Sequence, residues 1–129
     1  MKLRIFVSFL LAVFVLAMAS ITSADGITKR IKFARGKSSA TVSGAVIRGD
    51  RDTYILGASV GQRMTVRITS LEDNAAFQVM DDDGNYLQNA GEEDDATNWT
   101  GKLPWTGDYK IIVGGTRGNA SYKLTVAIQ

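Results

Sequence analysis

The sequence predicts an all-β protein: a single antiparallel β-sandwich, jelly-roll-like in plan, that follows a cleaved leader. Three observations carry this. Apolar residues recur with a period of two along most of the chain beyond residue 30, which marks strands with one buried face. The runs are short and separated by turn residues at regular spacing, as in sandwiches and barrels. No segment shows a sustained apolar stripe at helical period.

The first element is the leader. Lys2 and Arg4 form a short basic start, and Ile5 to Ala17 is apolar apart from Ser8. Small residues follow, as the cleavage step of a secretory signal peptide needs. Thr22-Ser23-Ala24 places the cut before Asp25; Ala17-Met18-Ala19 also offers an A-x-A site, before Ser20. The apolar run is shorter than the roughly 20 residues that span a bilayer. The expectation is therefore a signal peptide over residues 1–24 and one β-sandwich domain over residues 25–129. The mature product is expected to be periplasmic or secreted, with no membrane attachment after cleavage.

The strands come next, in order. Ile31 and Phe33 begin the alternation, and Ala40, Val42, Gly44 and Val46 continue it. Tyr54 and Leu56 share one parity against Thr53 and Ile55. Met64, Val66 and Ile68 alternate with Arg63, Thr65 and Arg67, the clearest run of all. Phe77 and Val79 follow. Tyr109, Ile111 and Val113 come later, then Tyr122, Leu124, Val126 and Ile128. Between them lie Gly49-Asp50, Val60-Gly61-Gln62, Asp83-Gly84-Asn85, the stretch from Pro104 to Gly107, and Gly114, Gly115 and Gly118. These are turn residues because glycine accepts positive φ at no steric cost.

Charge and composition exclude several functions. The chain has 15 basic and 13 acidic residues. Taking Lys2 and Arg4 away with the leader leaves 13 of each. The sequence pI near 9.0 is thus partly a property of the leader, and nucleic-acid binding is not expected. The charges are unevenly spread. Lys29 to Arg67 is mostly basic, whereas every charge from Glu72 to Asp95 is acidic. Such a distribution can steer a charged partner if it segregates in space. There is no cysteine, so the fold must stand on its core alone, as domains of this size do.

Catalysis is argued down by what is missing. Without histidine or cysteine there is no Ser-His or Cys-His nucleophile and no usual zinc ligand set. A carboxylate pair remains chemically conceivable, but the acids cluster in polar, loop-like stretches. The expectation is a binding protein, not an enzyme, with no cofactor. Asp81 and Asp83 in Asp81-Asp82-Asp83-Gly84-Asn85 offer hard oxygen ligands for calcium. The spacing fails as an EF-hand, however, and an acidic hairpin turn is the simpler reading. Trp99 and Trp105 could stack on a sugar or anchor an interface; at least one is expected in the core.

Several stretches together resemble the bacterial inhibitors of g-type (goose-type) lysozyme. Gly36-Lys37-Ser38-Ser39-Ala40, Ser43-Gly44 and Asp50-Arg51-Asp52-Thr53-Tyr54 resemble the opening half of that family, with Ala58 and Gly61-Gln62 continuing it. Leu103-Pro104, Gly107-Asp108-Tyr109 and Thr116-Arg117 resemble the closing half. The resemblance implies an exported β-sandwich whose protein partner is g-type lysozyme and whose action is to occlude the enzyme's active-site cleft, protecting peptidoglycan. It also implies the contact residues. Arg117 with Thr116 matches the loop that reaches the cleft, and Tyr54, Ser43 and Asp50 match other family positions. The Asp-x-Asp-x-Tyr, Gly-Gln and Leu-Pro-x-x-Gly-x-Tyr patterns also resemble, more weakly, the prepeptidase C-terminal domain. That is a β-sandwich module appended to secreted proteases, some members of which bind calcium, and this resemblance implies the alternative of a binding module for calcium or polysaccharide. The chain departs from the inhibitor pattern at Gly49, where relatives can carry an aromatic. It departs again at Gly118-Asn119-Ala120-Ser121, which lacks further basic residues.

Overall fold

The period-two runs fold into eight strands, and each successive strand lies in the sheet opposite to the last. The structure, a computed structural model, describes residues 26–129; the expected signal peptide and its cleavage point lie outside the described residues. The strands are β1 (Thr28–Arg30), β2 (Ser39–Val46), β3 (Arg51–Ala58), β4 (Arg63–Ser70), β5 (Ala75–Met80), β6 (Asn98–Lys102), β7 (Gly107–Gly115) and β8 (Ala120–Ile128). One sheet has the order β1-β3-β7-β5 and the other β2-β8-β4-β6. Every connection therefore arches over an end of the sandwich, and no two consecutive strands share a ladder.

Alternation decides which side chains enter the core. On β4, Met64, Val66 and Ile68 are buried while Arg63 and Arg67 are exposed. Tyr122, Leu124, Val126 and Ile128 on β8, and Tyr109, Ile111 and Val113 on β7, face them from both sheets. Stacking two half-apolar faces removes this area from water, the main favourable term in folding.

Three details differ from the sequence expectation. β1 pairs with β3 in parallel, from Thr28↔Thr53 to Arg30↔Ile55, so the sandwich is not wholly antiparallel. The ladder there lies ahead of Ile31 and Phe33; Ile31 instead closes the pair, donating its N–H to the Ile55 carbonyl at 2.8 Å while its side chain enters the core. Finally, β6 was not legible. Asn-Trp-Thr-Gly-Lys has one apolar residue, Trp99, because an edge strand buries little.

Trp99 is buried and donates Nε1–H to the Gln88 carbonyl at 2.8 Å. Trp105 is 62% exposed. Its backbone is pinned by Tyr109, whose hydroxyl accepts the Trp105 N–H at 3.0 Å and donates to the Trp105 carbonyl at 2.6 Å. Nearby, Arg30 donates to both carboxylate oxygens of Asp108, at 3.2 and 2.6 Å. That hydrogen bonding holds the Asp108 carboxyl below its ordinary range.

Candidate partner-binding rim

Register gathers three arches at one end of the sandwich. Val46 pairs with Ala120, Ser70 with Tyr122, Arg51 with Gly114 and Ala75 with Gly115. The β2–β3 arch (residues 47–50), the β4–β5 arch (71–74) and the β7–β8 arch (116–119) must therefore emerge side by side. Loops held on a rigid scaffold in this way are the usual carriers of recognition.

Asn74 is the hub of this rim. It is 2% exposed, so its polar groups need partners. Its Nδ2 donates to the carbonyls of Arg117 at 3.1 Å and Asn119 at 2.9 Å. Its own carbonyl accepts the Thr116 N–H at 2.8 Å, and its N–H donates to Ser70 Oγ at 2.9 Å. One residue, through its side chain and its backbone carbonyl, thus fixes both ends of the β7–β8 arch. The arch also needs Gly115: a Cβ there would stand 2.5 Å from the Gly118 carbonyl oxygen. Asn119 Oδ1 accepts the Arg48 N–H at 2.7 Å, linking the arch to its neighbour. Asp50 N–H closes the β2–β3 arch on the Ile47 carbonyl at 2.9 Å.

On this fixed backbone stand exposed tips. Arg117 is exposed and donates Nη2–H to the Glu72 carbonyl at 2.7 Å. Its guanidinium is oriented by a backbone oxygen and, among the described residues, is not paired with a carboxylate, which leaves its charge for an outside acceptor. Arg48 is exposed beside it, Leu71 is 95% exposed and Ile47 64%. Two apolar tips flanking two cations make a surface that can bury area and pair charge at once.

The sequence-predicted positions divide. Thr116 is exposed on the rim next to Arg117. Asp50 is half-buried and lines, with Arg51, Gln78, Glu92, Asp95 and Thr116, a polar depression of about 340 Å³ on the rim's flank. Ser43 is exposed on the outer side of β2, where it lines a shallow depression with Thr69, Leu71 and Lys123. Tyr54 is different. It is 1% exposed, its ring lies in the core and its hydroxyl meets Tyr122 Oη at 2.6 Å. As a contact residue it is corrected: a side chain sealed between the sheets has no surface to offer a partner.

Asp81 is also inward. Its Oδ1 accepts the N–H groups of Asp83 at 3.0 Å and Asn85 at 2.9 Å, and so caps the turn after β5. Among the described residues, no group of three or more acidic side chains converges as a metal site would require.

Sequence reasoning passed over Leu71, Ile47 and Asn74. Leu71 carried a signal, a lone large apolar residue inside the polar turn Ser70-Leu71-Glu72-Asp73-Asn74. Asn74 carried none, since its role depends on an arch 43 residues away.

No protein-family model matches the chain. The chain is 35% identical over 116 residues to the inhibitor of g-type lysozyme of Escherichia coli strain K12, covering 88% of this chain and 86% of that protein. The crystal structure of the periplasmic lysozyme inhibitor of g-type lysozyme from Aeromonas hydrophila matches with a TM-score of 0.68 at 32% identity, over 82% of this chain and 100% of that one. The pre-peptidase C-terminal domain of a Bacillus anthracis collagenase matches with a TM-score of 0.57 at 19% identity, over 81% and 99% of the two chains, a likeness of fold alone.

Proposed function

The chain belongs to the family of inhibitors of g-type lysozyme, and on that footing we propose that it binds such an enzyme through the three-arch rim and occludes its active-site cleft. It acts in the periplasm, like its structural neighbour from Aeromonas hydrophila. Residues 1–24 direct export and are removed, and residues 25–129 form the inhibitor. It works by occupancy, without catalysis of its own.

The observation that carries this reading is the placement of Arg117. It stands exposed at the centre of a hydrogen-bonded rim, oriented by the Glu72 carbonyl. A guanidinium presented in this way pairs with a carboxylate in a charge-assisted, two-point contact. Glycosidases carry carboxylates in their clefts, so a protruding arginine fits the groove that the substrate would fill. Leu71 and Ile47 exclude water around that pair, and Thr116 and Asp50 border it. Ser43 lies on the outer sheet face toward the Leu71 side and forms the periphery of the contact.

The test is direct. Protein lacking residues 1–24 is titrated into a g-type lysozyme while lysis of bacterial cell walls is followed. Lysis is expected to fall in proportion to inhibitor added; full lysis at excess inhibitor would refute the reading for that enzyme. Arg117→Ala is expected to weaken inhibition by about 2–4 kcal/mol, as removal of a central interface arginine does. Unchanged inhibition would take Arg117 out of the contact.

A further inference from the structure

Both sheets of the sandwich carry cations, but the β1-β3-β7-β5 sheet also places a carboxylate, Asp108, beside one of them, Arg30. The outward side of β2, β8, β4 and β6 carries Arg63, Arg67, Lys102 and Lys123, all exposed, and no carboxylate. The acids of residues 26–129 lie instead in the arches, in the long connection after β5, at the inward Asp52 and at Asp108 on the other sheet.

Register sets the cations in a row. Lys102 faces Arg63 across the β6–β4 ladder, and Arg67 lies four residues farther along β4. Lys123 on β8 pairs with Thr69, two residues beyond Arg67. At about 3.3 Å per residue and about 5 Å between strands, the four form a diagonal roughly 20 Å long. None of them is in an ion pair among the described residues.

Hydroxyl groups fill the rest of the face. Thr65 and Thr100 are hydrogen-bonded across the β4–β6 ladder at 3.1 Å, and Thr41 and Thr125 across β2–β8 at 3.1 Å. The two aromatic residues of this sheet, Trp99 and Tyr122, are buried. The exposed large apolar residues, Ile27, Ile47, Val60, Leu71, Tyr86 and Trp105, all lie outside its strands.

These features select a ligand class. A face with no aromatic platform lacks what single-stranded nucleic acid requires. The strands of this face present no large apolar side chain to insert, Leu71 standing in the arch beside Lys123, and so lack the apolar band that seats a protein in a membrane surface. A narrow row of cations among fixed hydroxyls matches a linear, hydroxyl-rich polyanion. We infer that this sheet face binds an acidic polysaccharide, a linear sugar polymer whose carboxylates meet Arg63, Arg67, Lys102 and Lys123 and whose hydroxyls meet the threonine ladder.

The probe is polygalacturonate, with neutral dextran and phosphatidylglycerol vesicles alongside. Polygalacturonate is expected to bind at low ionic strength and to release as salt approaches the regime of short Debye length. Arg63→Gln, Arg67→Gln and Lys102→Gln together should weaken binding about tenfold or more, through loss of charge-assisted contacts. The charge-keeping set Arg63→Lys, Arg67→Lys and Lys102→Arg should retain most of it. Thr65→Val with Thr100→Val, which keeps charge and shape, should weaken it several-fold. These three cations lie away from the rim, so lysozyme inhibition by every variant should match wild type. Equal binding to dextran, capture by the vesicles but not by the polymer, or wild-type binding by the triple glutamine variant would each overturn the inference. So would an unchanged affinity in the double valine variant, because a bare charge row does not specify a sugar.

Discussion

Tyr122 donates its phenolic proton to Asp52, with Oη and Oδ2 2.6 Å apart and both residues buried. A tyrosine has one proton to give. The contact between Tyr54 Oη and Tyr122 Oη, also 2.6 Å, therefore runs the other way, with Tyr54 donating. Asp52 and Tyr54 belong to β3, Tyr122 to β8, so the relay bolts one sheet to the other through the core. The second Asp52 oxygen accepts the Ile27 N–H at 3.0 Å, which holds the entry to β1. Gly44, opposite Tyr122 in the ladder, makes room: a Cβ there would stand 2.5 Å from Tyr122 Oη.

The direction of the relay ranks two otherwise similar substitutions. Tyr122→Phe strips the buried Asp52 oxygen of its donor and leaves Tyr54 without an acceptor. It should cost about 2–4 kcal/mol, the range for unpaired buried polar groups. Tyr54→Phe removes a donor from an oxygen that still donates elsewhere, and should cost about 1 kcal/mol. Urea unfolding of the two variants measures both; a larger loss in Tyr54→Phe would reverse the assigned direction.

The same residues set an alkaline limit. Burial first, and for Tyr122 the hydrogen bonds to Asp52 and Tyr54 as well, push both phenols above their ordinary value of 10.0. The folded state thus holds protons that the unfolded state gives up. The contribution is complete below about pH 10 and declines as pH rises from there toward the folded values, since stability falls wherever the unfolded state binds fewer protons. Melting temperature should drop beyond pH 10 in wild type and drop less steeply in Tyr54→Phe. Parallel curves would show that these phenols are not the linked groups.

Asn74 should act on inhibition through the arch it holds. Asn74→Ala releases two carbonyls of the β7–β8 arch and should cost about 1–3 kcal/mol of stability. It should also weaken lysozyme inhibition although Arg117 is still present, because a mobile arch must be ordered on binding. Inhibition titrations well below the melting temperature separate the two effects. Full inhibition by a destabilised Asn74→Ala would limit Asn74 to folding.

The two tryptophans should behave oppositely. Trp99→Ala empties a core site and should cost about 3–5 kcal/mol. Trp105→Ala touches a side chain 62% exposed and should cost about 1 kcal/mol or less. Acrylamide quenching should reach Trp105 and spare Trp99. Equal quenching would contradict the burial of the β6 edge.

How much of this was legible follows from the range of each interaction. The parity of Met64, Val66 and Ile68 against Arg63, Thr65 and Arg67 displays which face of β4 is buried, because alternation is local. The glycine and aspartate turns mark the arches for the same reason. The family motifs pointed to Arg117 and Thr116, and both stand on the rim. Tyr54 misled as a contact residue, because a motif match does not distinguish a side chain that touches a partner from one that positions the strand.

The amino-acid order by itself determined the sandwich, the absence of thiol and imidazole chemistry, and the identity of the turn residues. Those depend on neighbours a few positions apart. Only the tertiary structure decided that three arches share one end, that Asn74 holds the arch of Arg117, that Tyr54 is internal, and that the cations of β4, β6 and β8 align on one face. Each joins residues on separate strands, and the physical reason is register. Pairing two strands one residue out of step would turn every outward side chain inward, and burial across the whole interface fixes that choice.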